Sequence, residues 1–387
     1  MPDNNEIKIK KLPFYWRLYN PKNKIKNIVN DFYPFCFDYD SENQLLIQKR
    51  NKKVLKALNM IYTEEYNIGY LQDGYTISKS YGTDFINYLN KILNNNLSIK
   101  KVLEIGCGGC VILEEIKKKG LDVCGIDSSP FAANQGKKKN IEVIQDFFPS
   151  KKLTQKFDLI FHADVLEHID EYKNFLEAQF EQLNDNGYLV VNVPDASESI
   201  ENGDISMAMH QHLNYFTKKS LNYTLSLVGF DVISVDSAGY GGSIYATCQK
   251  KTKKNDLRTK TKDNFYKNFI IRAKKTIDNF KSISENIIND PNRSLGYYIP
   301  LRTLPYLSFL NHNNNYRFFD DTSHWHKCVF DGMDVPIENF SDLVKFPTTD
   351  IILMSLTFED IIKKKLQNNF GKTLNVISLK ELITTAK

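Results

Sequence analysis

The chain has 387 residues, which is enough for two or three domains with well-buried cores. Hydrophobic residues make up 42% of it and charged residues 25%, and with 21 Tyr and 25 Phe the composition excludes a largely disordered protein. The net charge of +5 is small for this length, so the lysine clusters at 117–119 and 137–139 indicate solvated surface, and no nucleic acid is expected as a partner.

The first residues and the cysteines favour a cytoplasmic protein. The segment MPDNNEIKIKKLPFYW lacks the apolar stretch of a secretory signal, and no apolar run approaches the length of a membrane span. The six cysteines are scattered, so we expect reduced thiols. Only Cys107 and Cys110 lie close together, without a second pair or histidines at ligand spacing, so we predict no metal site.

The stretch VLEIGCGGCVILEEIKKKGLDVCGID predicts a strand, a glycine loop, a helix and a second strand. KVLEIG has the composition of a short buried strand, CVILEEIKKKG that of a helix ending at Gly120, and LDVCGID that of another strand. Glycines at the first turn of such a βαβ unit let the backbone approach a nucleotide closely. Asp127, 23 residues after Glu104, stands where an acid binds ribose hydroxyls.

The same loop contains a C-x-x-C motif, Cys107 to Cys110, and a thioredoxin-like redox pair also opens a helix. That alternative leaves Glu104 and Asp127 without a role, so the glycines explain the loop better than the sulfurs. Glu104 beside the loop would repel a pyrophosphate and suits a cationic ligand with an amino group, which disfavours a NAD-dependent oxidoreductase.

The loop EIGCGGC resembles motif I of the class I S-adenosylmethionine-dependent methyltransferases, with Cys110 at the last glycine. Segments from NIEVIQDFF and KFDLIFHADVLEHID to GGSIYATCQK resemble the later strands of that family in order. The resemblance implies S-adenosylmethionine as the cofactor. It implies contacts to this donor from Glu104, Gly106, Cys107, Gly108, Asp127, Asp146, Phe147 and His162. Two nucleic-acid-modifying types are disfavoured, because HADV replaces the motif N/D-P-P-Y/F and no Pro-Cys occurs.

The segment MAMHQHLNYFTKKSL follows the predicted fifth strand, at the sheet edge where ligands bind in open α/β folds. The segment contains His210 and His212, and a histidine with a near-neutral pKa suits the removal of a proton from an acceptor. For each of these histidines, the alternative is that it caps a turn or packs in the interior. A metal pair of His210 and His212 is disfavoured, because no carboxylate ligand is evident nearby.

This segment also resembles the sugar C-methyltransferases that act on nucleotide-linked deoxysugars, which carry H-E-H-x-x-Y-F. The resemblance implies His212 as the base, with His210 and Gln211 orienting the acceptor. The family's glutamate is Gln211 here, and an amide cannot exchange protons, which leaves O- or N-methylation of a sugar open. The implied partner is a small nucleotide-linked sugar, and the implied process is surface polysaccharide or glycolipid biosynthesis.

Outside the core, the chain resembles the sugar methyltransferases in part. Their zinc module is absent, since residues 1–60 contain only Cys36. The segment YTEEYNIGYLQDGYTISKSYG resembles their tyrosine-rich lid and implies substrate contacts from Tyr66, Tyr70 and Tyr81, with ordinary packing as the alternative.

Four strand-like segments near the C-terminus, SLGYYIP, NYRFFDD, TDIILMSL and LNVISL, predict a second α/β domain. They resemble the C-terminal Rossmann-like domain of the sugar methyltransferases, where a glycine loop helps to hold the nucleotide-sugar. Here bulky residues follow Gly296, so a diphosphate would approach the backbone less closely. Arg302 is the candidate substrate contact, with a surface arginine as the alternative.

Together these observations predict an α/β fold, a class I methyltransferase Rossmann-like sheet with a second C-terminal α/β domain. We expect an N-terminal region with the lid at 1–84, the donor-binding core at 85–250 and the C-terminal domain at 251–387. The predicted function is S-adenosylmethionine-dependent methylation of a sugar or nucleotide-activated sugar, at carbon or oxygen. Methylation of a small non-sugar metabolite or RNA, and a donor-binding scaffold without activity, are the alternatives, and the oligomeric state is left open.

Overall fold

The computed structural model describes residues 6–15, 18–23, 28–63, 76–251, 264–310, 315–343 and 349–384. The chain forms two compact units. The core unit comprises 39–197 and 211–261, and the flanking unit comprises 1–38, 198–210 and 262–387. The three-part division with bounds at 84 and 250 stays a prediction. Within the described ranges, no helix has both the length and the apolar character needed to cross a membrane.

Strands and helices alternate through most of the chain. The strands are β1 Lys8–Pro13, β2 Leu18–Tyr19, β3 Phe32–Asp40, β4 Leu45–Gln48, β5 Lys101–Ile105, β6 Asp122–Asp127, β7 Glu142–Gln145, β8 Phe157–Ala163, β9 Leu183–Pro194, β10 Asn214–Tyr215, β11 Phe230–Ser237, β12 Ser243–Lys250, β13 Leu295–Tyr298, β14 Tyr316–Asp320, β15 Val329–Phe330, β16 Ile337–Asn339, β17 Asp350–Leu353 and β18 Asn375–Ser378. The helices are α1 Lys52–Tyr62, α2 Thr76–Asn95, α3 Val111–Lys117, α4 Pro130–Lys139, α5 Tyr172–Gln182, α6 Ser197–Asn202, α7 Lys218–Val228, α8 Phe265–Ile288, α9 Pro300–Leu307, α10 Glu359–Phe370 and α11 Leu379–Thr384.

A seven-stranded sheet organises the core unit, in the order β11-β12-β9-β8-β5-β6-β7. The five strands from β9 to β7 are parallel, and β12 runs antiparallel to both β9 and β11. The chain winds outward from β5 in both directions, so the loops after β5 and β8 meet at the point where the winding reverses. This arrangement confirms the predicted class I Rossmann-like α/β sheet, whose ligands bind at such a switch point.

Both faces of this sheet are covered, which explains the nearly continuous apolar sequences of its central strands. Successive side chains of a strand point to opposite faces. Leu103 therefore packs in one apolar layer with α5 and α7, and Val102 packs in the other layer with α2, α3 and α4. A fully buried aromatic such as Phe85 of α2 stabilises this packing by about 2 to 3 kcal/mol. The two layers hold the carboxyl ends of β5, β6 and β8 in fixed positions.

A second sheet organises the flanking unit, in the order β16-β14-β13-β17-β18, and its paired strands are all parallel. The four strand-like segments of the sequence form β13, β14, β17 and β18, so the predicted second α/β sheet is confirmed; β16 was missed. Gly296 lies inside β13, not in a ligand loop. A Cβ there would come within 2.6 Å of Ile351 Cδ1, so this glycine serves close packing of the sheet.

Candidate active site

The glycine loop leaves the carboxyl end of β5 with three residues in the left-handed region of backbone space. The φ angles are +72° at Gly106, +45° at Gly108 and +55° at Cys110. A Cβ at Gly106 would come within 2.6 Å of Val165 Cγ2, so this position requires glycine. Cys110 occupies the place of the expected last glycine and adopts a conformation that glycine favours. The backbone of the loop is therefore open to close approach by a ligand.

Asp127 joins this loop to the end of β6. Its Oδ2 accepts a hydrogen bond from the Gly108 N–H at 2.9 Å, and its Oδ1 accepts one from the Ser129 N–H at 2.8 Å. Burial raises the pKa of this carboxyl, and the two N–H donors partly oppose that effect. Asp127 thus holds the loop in place and presents its carboxylate between two strand ends.

Asp146 and Phe147 follow β7 at the same edge of the sheet. The Asp146 carboxylate accepts hydrogen bonds from the Ser150 hydroxyl at 2.8 Å and the Phe147 N–H at 2.9 Å. The bond from Ser150 is the main reason that the pKa of Asp146 is lowered. The Phe147 side chain is 46% exposed, so its ring is accessible to a ligand. An acid beside an exposed ring suits a flat heterocycle that carries an amino group.

Glu104 lies in β5, directly before the loop, and is only 3% exposed. No residue in the described ranges forms a hydrogen bond with its Oε2 atom. Burial, followed by the nearby Cys110 and Asp127, raises the pKa of this carboxyl well above its ordinary value. An unpaired buried carboxylate is costly, so a cationic ligand at the loop would stabilise it. These residues and the loop backbone together fit S-adenosylmethionine. Glu104 suits its amino group, Asp127 suits its ribose, and Asp146 with Phe147 suits its adenine.

The thiols of the C-x-x-C motif belong to the protein interior. The Sγ atoms of Cys107 and Cys110 lie 4.0 Å apart, and none of the six cysteines, all of which are described, forms a disulfide. Cys107 is buried, and its Sγ would lie 2.6 Å from a Cβ at Gly125. The hydrogen bond with Cys110, and then burial, raise the pKa of the Cys107 thiol. Cys107 can therefore contact a ligand at the loop through its backbone only.

His162 does not belong to this ligand surface. It is fully buried in β8, and its ring packs edge-on against Phe175 of α5 at 5.7 Å. Burial lowers the pKa of His162 to about 3, so the ring is neutral. A side chain enclosed in the layer beneath α5 has no access to a ligand at the loop, so the predicted donor contact of His162 is not supported.

Tyr81 lies at the centre of a hydrogen-bonded group at the ends of β8 and β9. Its hydroxyl donates to Asp164 Oδ1 at 2.8 Å, accepts from Asn192 Nδ2 at 3.0 Å and lies 3.0 Å from Ser243 Oγ. Burial raises the pKa of Asp164 to about 6, although the bond from Tyr81 opposes the effect. Asp164 has a φ of +54°, a conformation that turns the chain sharply as it leaves β8.

His212 belongs to a cluster with Glu167 and His168. One ligating atom of each residue lies within 4.8 Å of the corresponding atoms of the other two. The rings of His168 and His212 have centroids 5.1 Å apart. Gln211 contributes its backbone carbonyl, which lies 2.8 Å from His168 Nδ1. The predicted base therefore lies beside a second histidine and a carboxylate, and these three groups could act on an acceptor proton or hold a cation.

The other predicted acceptor residues have different surroundings. His210 is fully buried and stacks on Phe14, with ring centroids 5.6 Å apart. A side chain enclosed in this way cannot touch an acceptor, so the orienting role of His210 is not supported. Arg302 donates to Ser206 Oγ at 3.1 Å and lies 3.9 Å from the buried Asp204, so its guanidinium is partly engaged within the flanking unit. Tyr66 and Tyr70 lie outside the described residues.

Three polar side chains of this candidate site were not predicted from the sequence: Asp164, Glu167 and His168. The signal was present, because the stretch ADVLEH follows the carboxyl end of a predicted central strand. At that position, polar side chains meet the residues that follow neighbouring strands. What the sequence did not indicate is that His168 would approach His212, which is 44 positions away along the chain.

Comparison with known proteins agrees with this geometry. Residues 80–235 match the family described as "Methyltransferase domain". The ubiquinone biosynthesis O-methyltransferase of Schizosaccharomyces pombe is 33% identical over 106 residues, which are 25% of this chain and 39% of that protein. The enzyme of the same name from Pelagibacter ubique is 30% identical over 117 residues, 26% of this chain and 45% of that protein. This chain therefore spans less than half the length of these relatives.

Among solved structures, the N-methyltransferase NodS from Bradyrhizobium japonicum, in complex with S-adenosyl-L-homocysteine, is similar with a TM-score of 0.38 and 15% identity. The match covers 52% of this chain and 99% of that one, but a score this low supports no argument. The family match covers 156 of the 387 residues, so it shows that residues 80–235 are similar to a methyltransferase domain. This match agrees with the expected class of enzyme and with S-adenosylmethionine as its cofactor.

Proposed function

We propose that this chain is an S-adenosylmethionine-dependent methyltransferase that methylates a hydroxyl oxygen of a sugar or nucleotide-activated sugar. Binding of the methyl donor is supported by the buried Glu104 carboxylate, which lies beside a loop with positive φ at Gly106 and Gly108. A cationic donor that lies against glycine backbone accounts for both features.

The residues at the carboxyl ends of β5 to β7 would hold the donor, each through a different chemical group. Glu104 would accept from the amino group, Asp127 from the ribose hydroxyls and Asp146 from the adenine amino group, while Phe147 would cover the ring. When bound, S-adenosylmethionine supplies a methyl group on a positively charged sulfur. The task of the protein is then to align the acceptor with that methyl group and to exclude water.

An oxygen acceptor loses a proton as it is methylated, and the cluster of Glu167, His168 and His212 could take part in that step. Burial lowers the pKa of His168 to about 4, so its ring is neutral. The resemblance to the sugar C-methyltransferases implies His212 as the base, and a neutral imidazole suits proton removal. Support for this role comes from the position of His212 at the same sheet edge as the glycine loop.

Two observations favour oxygen over carbon as the acceptor atom. Gln211 replaces the glutamate that the sugar C-methyltransferases carry, and an amide cannot relay a proton. The two relatives described above are named O-methyltransferases. The sugar itself, and a role in surface polysaccharide or glycolipid biosynthesis, rest on the resemblance of the HQHLNYF segment and of the second α/β sheet.

A small non-sugar acceptor with a hydroxyl group is the second candidate, because the same two relatives are named for ubiquinone biosynthesis. A panel of acceptors, with transfer of a labelled methyl group as the readout, would separate the two. Turnover of nucleotide-sugars is the expected result, and turnover restricted to phenolic acceptors would favour the second candidate.

Calorimetric binding of S-adenosylhomocysteine tests the donor site. We expect the wild type to bind it and Asp127→Ala to bind it about 10 to 100 times more weakly, because charge-assisted hydrogen bonds are lost. Asp122→Ala is the matched control, since Asp122 is an exposed acid at the other end of the same strand. Equal affinity of the wild type and Asp127→Ala, or no binding by the folded wild type, would contradict the proposal.

A further inference from the structure

A carboxylate and two imidazoles converge after β8, outside the donor site. Glu167 and His168 belong to a short 3-10 helix, Leu166–His168, and His212 lies in the segment before β10. Their ligating atoms lie within 4.8 Å of one another. The His168 Nε2 to Glu167 Oε1 distance is 3.5 Å. Two ligands that each lie about 2.1 Å from a tetrahedral cation are about 3.4 Å apart, so this pair already has the required spacing.

The orientation of His168 also suits a ligand. Its Nδ1 lies 2.8 Å from the Gln211 carbonyl oxygen. Because a carbonyl only accepts, Nδ1 carries the hydrogen, and Nε2 presents its lone pair on the side of Glu167. Metal-bound histidines commonly donate their second N–H to a backbone carbonyl in this way, which fixes the ring.

The carboxylate of Glu167 is buried and lacks hydrogen-bond donors, which also points to a cation. The residue is 2% exposed, and no other described residue donates a hydrogen bond to either carboxylate oxygen. A buried carboxyl group whose two oxygens lack a donor is costly, and a divalent cation bound to it would satisfy both oxygens.

We propose that Glu167, His168 and His212 bind a divalent cation of the zinc or manganese class. Two imidazole nitrogens and one carboxylate oxygen leave at least one coordination position open. This inference rests on the proposed function and deepens it, because the cation would lower the pKa of an acceptor hydroxyl at the open position, and that hydroxyl would release its proton to solvent as its oxygen takes the methyl group from the sulfonium. His212 would then act as a ligand, and the cation would take over its role in activating the acceptor.

The test uses the whole 387-residue chain, stripped of metal with a chelator and titrated with Zn²⁺ in competition with a chromophoric chelator. We expect one tight site in the wild type and a loss of affinity of more than about 100-fold in His212→Ala and in the isosteric Glu167→Gln. His324→Ala is the matched control, because His324 is an exposed histidine of the flanking unit, and it should bind Zn²⁺ as the wild type does. Zinc X-ray absorption should show imidazole and oxygen ligands and no sulfur.

Binding of S-adenosylhomocysteine by the same samples separates the two proposals. A wild type that binds S-adenosylhomocysteine but no Zn²⁺ or Mn²⁺ would overturn the cation site and leave the methyltransferase proposal standing. A tight Zn²⁺ site that persists in both cluster variants, or that shows sulfur ligands, would equally overturn it. Loss of S-adenosylhomocysteine binding in the wild type would instead count against the proposed function. Thermal melting of each variant confirms that a lost site is not a lost fold.

Discussion

His210 and His212 are separated by one residue, yet their surroundings have little in common. His210 is fully buried, stacks on Phe14 and meets Tyr33 edge-on at 5.8 Å. His212 is partly exposed, and its ring lies 5.1 Å from that of His168, beside the Glu167 carboxylate. In an extended strand, residues two apart share a face, but the chain turns at 210–211 and directs the two rings into different environments.

Two histidines that lie close together in a sequence therefore need not form a reactive pair. Burial lowers the pKa of His210 to about 4, so the ring is a neutral packing element. His212 has groups around it that can exchange protons or bind a cation. Three experiments, in order of expected effect, test whether the roles of these two histidines are as different as their surroundings.

The largest effect is expected for His212→Ala. Whether the ring acts as a base or as a cation ligand, its loss should lower kcat/KM by about 10²- to 10⁴-fold. The free energy of unfolding should change by less than about 1 kcal/mol, because the side chain is only partly buried. Methyl transfer to the best acceptor and urea denaturation measure the two quantities. Activity within threefold of the wild type would remove His212 from the site.

The converse is expected for His210→Ala. Deleting a fully enclosed ring leaves a cavity among Phe14, Tyr33 and Phe35, which should lower the free energy of unfolding by about 3 kcal/mol. Binding of S-adenosylhomocysteine should persist at temperatures where the variant is folded. Urea denaturation measures the stability, with His212→Ala as the reference. A stable His210→Ala protein without activity would show that His210 belongs to the site after all.

A smaller effect is expected from pH. The pKa of His210 is about 4 in the folded chain and about 6.5 when unfolded. Below pH 6.5 the unfolded state therefore binds more protons, so the contribution of neutral His210 is complete above pH 6.5 and is lost as the pH falls towards 4. Between pH 6.5 and 5 the loss is about 2 kcal/mol.

His210→Phe removes the pH-dependent part of the free energy of unfolding that comes from His210, because phenylalanine cannot be protonated. The aromatic surroundings can accept its apolar ring. His162 and His168 also titrate, but they are common to both proteins. The stability difference between pH 7 and pH 5, measured by urea denaturation, should be smaller in His210→Phe than in the wild type. An equal pH dependence in the two proteins would show that His210 is charged or solvated in the folded state.

The signals of the proposed donor site are local in the sequence. The glycines that need positive φ, the acid before them and Asp127 all fall within one βαβ unit, where sequence distance and spatial distance agree. The alternation of apolar strands and helices predicted both α/β sheets for the same reason. The burial of His162 could not be predicted, because a polar residue at the end of a central strand can face either the sheet edge or the layer beneath α5, and its type does not decide which.

The acceptor side could not be predicted in the same way. Tyr81 reaches Asp164, Asn192 and Ser243, which come from three distant parts of the chain. His168 is oriented by the carbonyl of Gln211, a residue that was singled out for its side chain. Such contacts depend on how loops pack after the sheet has formed, and no pattern of period two or period 3.6 encodes them.

Short segments of the sequence are enough to predict the class of fold, the loop that suits a nucleotide-like donor and the residue types available for chemistry, because backbone conformation and burial patterns are local properties. Which polar groups are enclosed, which are exposed and which meet depends on the packing of the folded chain. This packing buried His210 among aromatic rings, enclosed His162 beneath a helix and brought Glu167 beside His168 and His212. Solvation and electrostatic coupling depend on neighbours in space, and those neighbours are set by the packing of the whole unit.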